Sequence, residues 1–372
     1  MNLEAKLDWN DGFLTGQDRL IVAAAALAAD DRWQAVVTTL QERGEASLDA
    51  TAWIEPRGQA PLTLPRNTFR LQPGPQPGRF YPRLAFPPLA RSPRDLKPVR
   101  ALGVDEKTIT VDPNHPLADL PVTLTLSPTA LECAPAMNLA DLFDGPGLQR
   151  PMHGELRLAM TDLARDNESG DSLFYTQPRF THHLDAACRA QIAGLYARFL
   201  QPGMRVLDLM ASWDSHLPDT AEALHVAGLG LNAAELDANP RLAERVVKDL
   251  NERPELPWSN GQFEVVFCTA SIEYLIHPQR IVAEVRRLLA PEGVFVVAFS
   301  DRWFPPKAIR IWTQMHPFER VGLVAALLAQ AGFTGLHGET LRGLQRPGND
   351  KYRAQRAFSD PLFAVWGRTP RA

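Results

Sequence analysis

Three short stretches carry side chains that can do chemistry. "FYTQPRFTHHLD" offers Tyr175, Arg179, His182 and His183. An arginine grips a carboxylate through a two-pronged fork, and an imidazole such as His183 titrates near neutral pH. His182 and His183 are adjacent, so on a helix they point to different sides and cannot share a metal ion. "SIEYL" supplies Glu273 and Tyr274, and "SDRWFPPKAIRIW" supplies Asp301, Arg302, Trp303 and Lys307. Glu273, Tyr274, Arg302 and His183 are the candidate catalytic groups. Tyr175, Arg179, Arg302 and Lys307 are the candidate substrate-binding groups, and the three cations predict a carboxylate- or phosphate-bearing substrate. The competing reading makes Arg302 and Lys307 solvated charges, and the 174–185 stretch a surface loop with Thr181 as a helix cap.

A fourth stretch, "VLDLMASWDSHLP", begins like the first strand of a nucleotide-binding domain. Val206, Leu207 and Leu209 are apolar and Asp208 sits one residue from the strand's end. A glycine-rich turn is expected next, because glycine lets the backbone approach a cofactor. Met210, Ala211, Ser212, Trp213 and Asp214 stand there instead. Trp213 either covers or stacks on a bound ring, or fills the core.

Elements that would position these groups follow from periodicity. After Asp171 short apolar strands alternate with helices, which means a parallel sheet covered on both faces. Strands are predicted at Arg205–Leu209, His225–Leu231, Val246–Asp249, Phe263–Cys268 and Val294–Phe299, and a final pair at Gly332–Glu339 and Pro361–Gly367. Helices are predicted over Leu184–Phe199 and Pro278–Leu289, the second stopped by Pro291 and Gly293. Upstream, Leu20–Ala29 reads as a buried alanine-rich helix, too short to span a bilayer. Trp33, Val36, Val37 and Leu40 share one face of a helix that follows Asp30 and Asp31 and stops at Gly44. Eleven prolines between Pro56 and Pro98 exclude a long regular element there and predict a wrapping segment or linker. Ile109 and Val111, then Val122–Ser127, read as two strands with a bulged turn between them. Phe143–Pro151 reads as a loop. The predicted organisation is an N-terminal α+β domain over 1–150, a linker over 151–170, and an α/β domain over 171–369.

The second half resembles the class I S-adenosylmethionine-dependent methyltransferases. The resemblance rests on "GMRVLDL", "VAGLGLNAAEL", the stretch "DLNERPELPWSNGQFEVVFCTASIEYL", "EVRRLLAPEGVFVVAFS" and the terminal "PLFAVWGR". It implies a Rossmann-like seven-stranded sheet with helices on both faces and S-adenosylmethionine as cofactor. It also implies that Asp208 holds the cofactor's ammonium, with Asp214 assisting, and that Asp249, beside Leu250, receives the adenine amino group. Met210, Ser212 and Asp214 replace the family's loop glycines, and Gly230 replaces the acid that holds the ribose; Asn232 or Glu235 would take over its oxygens. A branch of methyltransferase-like proteins with a Met-x-Ser-Trp loop shares this variation, matched by Met210 to Trp213.

The stretch "VRALGVDEKTITVDPNHPLADLPVTLTLSPTALE" resembles the closing portion of SlyD-like prolyl isomerases of the FK506-binding-protein (FKBP) type. The match centres on Val111, Asp112, Asn114, His115, Pro116, Leu117 and Ala118. Asp119 stands at the signature's glycine, and Leu124 at an aromatic of the isomerase pocket. It implies an FKBP-like β framework over 99–133, with His115 a structural turn residue.

The bulk numbers narrow the partners. Net charge is −4, with no basic excess to neutralise a nucleic-acid backbone. Cys133, Cys188 and Cys268 are isolated, with no CxxC pair, so a zinc site or disulfide framework is not expected. Separated thiols and the lack of a secretory signal suit the cytoplasm. Three functions stay open: a methyltransferase acting on a small molecule or protein, a non-catalytic binding protein with the same fold, and a prolyl isomerase or chaperone-like protein working through its N-terminal half.

Overall fold

The structure is a computed structural model that describes residues 1–27, 33–54, 58–72, 74–93, 95–135, 137, 139–144, 156–219 and 223–371. The chain forms two compact units. The first holds residues 1–153, 314–322 and 339–345; the second holds 154–313, 323–338 and 346–372. Among the described residues no helix is long and apolar enough to cross a membrane.

The first unit opens with an antiparallel hairpin, β1 (Asn2–Asn10) and β2 (Thr15–Ala23), paired from Asn2↔Ala23 to Asn10↔Thr15. Leu3, Ala5, Leu7 and Trp9 alternate inward along β1. Of the alanine-rich run expected as a helix, residues 20–23 are strand and α1 (Ala24–Leu27) is helical, while 28 and 29 lie outside the described residues. Leu20, Ile21 and Val22 are all buried. That end of the strand is covered on both faces, which erases the alternation that reveals a strand. Helix α2 (Gln34–Arg43) ends at Gly44, whose φ of 76° is left-handed and whose N–H reaches Leu40 O. The expected start at Asp30 and Asp31 lies outside the described residues.

The proline-rich segment is not a plain linker. It contributes β4 (Leu62–Pro65) and β5 (Phe80–Pro82), after β3 (Ala46–Asp49). With β6 (Pro98–Val104) and β7 (Thr108–Asp112) these make a four-stranded sheet of order β4-β7-β6-β5. Prolines end both edge strands and begin β6, places where a missing amide donor breaks no ladder. Phe86, Val99, Ala101, Ile109 and Val111 form its core.

Strand β8 (Val122–Thr129) pairs with β1 and β3 rather than with β7. The two strands read from either side of "NHPL" therefore belong to different sheets. A short α3 (Ala140–Asp144) includes Phe143 and Asp144; the rest of the loop expected to end at Pro151 lies outside the described residues.

The second unit begins with α4 (Met160–Leu163), α5 (Asp171–Phe174) and α6 (Ala186–Ala197). Asp185 caps α6 through the amides of Ala187 and Cys188. Then follow β9 (Arg205–Leu209), β10 (His225–Gly230), α7 (Ala233–Ala238), β11 (Glu244–Val247), β12 (Phe263–Thr269), α8 (Pro278–Leu288) and β13 (Leu289–Phe299). The chain continues through α9 (Arg310–Gln314), α10 (Pro317–Gln330), β14 (Thr334–Arg342) and β15 (Leu362–Arg368).

Strand order in the second unit is β11-β10-β9-β12-β13-β15, followed by the part of β14 that belongs to this unit, residues 334–338. Strands β9 to β13 run parallel and β15 antiparallel to β13. Strand β9 is central, so its carboxyl end, with Asp208, opens where the chain leaves in both directions across the sheet. Strand β11 sits two residues earlier than the pattern predicts, which leaves Asp249 in the turn beyond it. Residues 165–170, expected within the linker, are part of this unit. Buried Arg165 forks onto both oxygens of Asp171 at 2.8 Å.

Candidate cofactor and active site

A cavity opens at the carboxyl ends of β9, β10 and β12. Its non-atom space, open solvent at the mouth included, is about 1220 Å³. Asp208, Met210, Ser212, Trp213, Asp214, Asn232, Glu235, Asp249 and Leu250 all line it, as do Tyr175, Arg179, His183 and Tyr274.

The loop after β9 takes a course of its own. Met210 adopts a left-handed φ of 61°, and Ala211 N–H donates to Leu229 O at 2.7 Å. The Ala211 carbonyl then fills the space over Gly230, where an added Cβ would lie 2.2 Å from that oxygen. The two departures from the family pattern are therefore one: the loop passes where the acid's side chain would start. Side chains hold this loop in place of glycine turns. Ser212 Oγ donates to Glu235 Oε2 at 2.6 Å, and Asn239 Nδ2 donates to Ser212 O at 2.8 Å. Trp213 packs on His182 with ring centroids 4.4 Å apart.

Glu235 and Asn232, expected at the ribose, tie the 174–183 segment to the start of α7. Glu235 Oε1 accepts from Arg179 N–H at 2.7 Å. Asn232 Nδ2 donates to the carbonyls of Tyr175 and Thr176 at 3.0 and 3.2 Å. Their bonds already occupy much of what the ribose would need. Removing the Glu235 carboxylate should free both segments. Since hydrogen bonds to a charged group contribute about 1.5–3 kcal/mol, Glu235→Ala should lower stability by about that amount in urea denaturation.

The two acids near the loop differ sharply. Asp214 is engaged: His216 N–H donates to Oδ1 at 2.9 Å, while His216 Nδ1, His182 Nδ1 and Arg189 Nη1 lie 3.2, 3.4 and 3.7 Å from Oδ2. Burial raises its pKa, but the His216 bond and charge and then His182 outweigh it and hold the carboxyl well below the usual range. Its two oxygens are thus already engaged by neighbours of the loop. Asp208 is 5% exposed. Burial pushes its pKa up to about 7 despite a Ser215 hydrogen bond and the charge of His216. Its Oδ2 is buried with no hydrogen-bond partner among the described residues, a costly state that a cationic donor in the cavity would relieve.

Asp249 keeps the turn after β11, accepting from Asn251 N–H at 2.9 Å. Among the lining residues that went unread in the sequence are Asp171 and Asn251. Asn251 Nδ2 donates to Asp171 Oδ2 at 2.7 Å and to Tyr274 O at 2.8 Å. Burial works to raise the Asp171 pKa, but bonds from Asn251, Lys307 and Arg165 bring it below the ordinary value. No local signal marks this pair, whose members stand eighty positions apart.

Three candidates fall outside the cavity lining. Lys307 is fully buried, 2.9 Å from Asp171, and donates to Ser169 O at 2.5 Å. It is a structural cation and not a substrate ligand, since its charge is consumed in holding Asp171. Arg302 lies over the Tyr352 ring at 4.6 Å and 3.8 Å from Asp360, so it is likewise placed away from the cavity. Glu273 is 1% exposed in a 3₁₀ turn, Ile272–Tyr274. Tyr274, in the same turn, accepts from Phe304 N–H at 2.9 Å, which leaves its own proton to donate. Burial and then the Arg179 charge lower the His183 pKa, so its imidazole is neutral at pH 7 and able to accept a proton.

Sequence comparison finds methyltransferase likenesses in the second half of the chain. Residues 215–297 match the methyltransferase-domain family model, a match that begins one residue after the altered loop. A malonyl-[acyl-carrier protein] O-methyltransferase of Geobacter sulfurreducens is 28% identical over 158 residues, covering 37% of this chain and 58% of that protein. The chain thus spans little more than half the length of the curated relative it matches. Among solved structures, YcgJ of Bacillus subtilis superposes with a TM-score of 0.36 at 14% identity, covering 49% of this chain and 99% of that one. An S-adenosylmethionine-dependent methyltransferase of Aquifex aeolicus gives 0.34 at 15% identity, covering 50% and 90%.

Proposed function

We propose that this protein is an S-adenosylmethionine-dependent methyltransferase acting on a small-molecule or protein acceptor. The carrying observation is the Asp208 oxygen buried without a partner in a cavity at the end of the central strand. The strand order of the second unit, with its antiparallel β15, supports the seven-stranded Rossmann-like reading. The family match over 215–297 supports S-adenosylmethionine as the cofactor.

When bound, the cofactor supplies an electrophilic methyl group. Asp208 would hold its ammonium and Asp249 its adenine amino group, with Leu250 beside it and Trp213 covering it. His183 and Tyr274 hold and move the acceptor's proton, since transfer needs a base only when the nucleophile is protonated. Glu235, Asn232 and Ser212 keep the two flanking segments in register. S-adenosylhomocysteine at about 100 times its dissociation constant should stabilise the chain by about 2.7 kcal/mol, visible as a raised melting temperature. An unchanged melting temperature through millimolar ligand would favour the non-catalytic reading.

The SlyD-like portion we propose to be framework. Asp119, at the signature's glycine, takes a φ of 69°, the left-handed conformation glycine favours. Leu117 N–H donates to His115 Nδ1, so His115 Nε2 carries the proton and donates to Phe143 O at 2.6 Å. Leu124 is fully buried in β8 and cannot line an open pocket. Turnover of a proline-containing peptide should equal that of buffer. The proposal includes a cytoplasmic location, suited to three free cysteines, and an N-terminal unit that meets a substrate or protein partner.

A further inference from the structure

We propose that Arg179 is the carboxylate-binding group of the cavity; the proposal rests on the methyltransferase reading of the same site. Of the three cations the sequence offers for anion recognition, Lys307 is consumed by Asp171 and Arg302 lies outside the lining. Arg179 remains. Its guanidinium carbon sits 4.8 Å from the Phe174 ring centre, 5.2 Å from that of Tyr175 and 5.0 Å from that of Phe304. Three ring faces attract the cation and keep water from it. Nη2 donates to Phe174 O at 3.3 Å, and the backbone N–H is held by Glu235. Nη1 is buried with no hydrogen-bond partner among the described residues. A desolvated cationic donor left unpaired is costly, and an oxyanion ligand removes the cost.

Among the described residues the same cavity therefore holds an unpartnered carboxylate oxygen, Asp208 Oδ2, and an unpartnered cationic donor, Arg179 Nη1. The carboxylate has two sources, the amino-acid end of the cofactor or the acceptor. Arg179 stands on the 174–185 segment, whose Tyr175, Thr176, Phe180 and His182 also meet the cofactor loop and the start of α7, so it can serve either.

The test is calorimetric titration of the parent, Arg179→Met and Arg179→Lys with S-adenosylhomocysteine and with 5′-methylthioadenosine, which lacks the amino-acid end. If the cofactor supplies the carboxylate, Arg179→Met weakens S-adenosylhomocysteine at least tenfold, leaves methylthioadenosine unchanged, and Arg179→Lys recovers part of the loss. If the acceptor supplies it, both nucleosides bind as in the parent. Succinate, added with and without nucleoside, then raises the melting temperature of the parent but not of Arg179→Met. Equal loss of both nucleosides would assign Arg179 a structural role and overturn the proposal. So would unchanged nucleoside binding with equal succinate responses. A parent that binds no S-adenosylhomocysteine would sink the methyltransferase reading, and the succinate arm would still decide on Arg179.

Discussion

Asp208→Asn is expected to stabilise the ligand-free protein at pH 8 and to weaken cofactor binding at least tenfold. The two effects have one origin. Asp208 is buried, with one oxygen unpartnered and a pKa pushed up to about 7. The unfolded chain releases that proton near pH 4. Between about pH 4 and 7 the folded protein therefore binds more protons than the unfolded chain, and stability falls as pH rises. Above pH 7 the loss is complete and amounts to about 4 kcal/mol. Asparagine carries no charge and escapes this loss, so the variant should melt higher than the parent at pH 8 and no higher near pH 4. With ligand the balance reverses. A charge-assisted hydrogen bond to an ammonium is worth about 1.5–3 kcal/mol, or roughly one to two powers of ten in affinity. Parent affinity for S-adenosylhomocysteine should rise from pH 6 to pH 8, as Asp208 ionises, and that of the variant should stay flat. Melting curves and titrations at the two pH values read both effects.

Gly230→Ala should damage the protein more than its size suggests. A Cβ there meets Ala211 O at 2.2 Å and Leu236 Cδ2 at 3.2 Å. The first neighbour is backbone, fixed by the bond from Ala211 N–H to Leu229 O. Overpacking that forces a backbone shift costs about 1–3 kcal/mol and sometimes more, and the upper end applies here. A loss of about 3 kcal/mol in urea denaturation is expected, together with loss of S-adenosylhomocysteine binding, because the displaced loop lines the cavity. Gly230→Asp, which supplies the acid found elsewhere at this place, should behave no better. Improved binding by Gly230→Asp would show that the loop does not run over Gly230.

The central strands of the second unit are legible because burial on both faces makes them short apolar runs between helix signals. Val206, Leu207 and Leu209 are fully buried, and α8 starts at Pro278 as its pattern predicts. The N-terminal hairpin was hidden by the same physics. Leu20 to Val22 are buried together, so a strand end looked like a helix. The prolines of 56–98 correctly exclude long elements, yet strands of three and four residues fit between them at sheet edges. In the site, Asp208 is legible from its place at a strand's end. The fates of Lys307 and Asp214 are not, because they depend on partners brought in by folding. Asp171 meets Lys307 across 136 positions, and Asp214 gathers His182, Arg189 and His216. Charge type is written in the sequence; whether a charge is already paired is decided by tertiary contacts.

The most direct measurement is calorimetric titration of S-adenosylhomocysteine at pH 6.5 in buffers of differing ionisation enthalpy. At that pH Asp208 is largely protonated in the free protein, and an ammonium in the cavity requires it ionised. Binding should release most of one proton, and Asp208→Asn should abolish that release. Absence of binding heat through millimolar ligand, or binding with no proton released, would contradict the assignment of Asp208 as the cofactor's anionic partner.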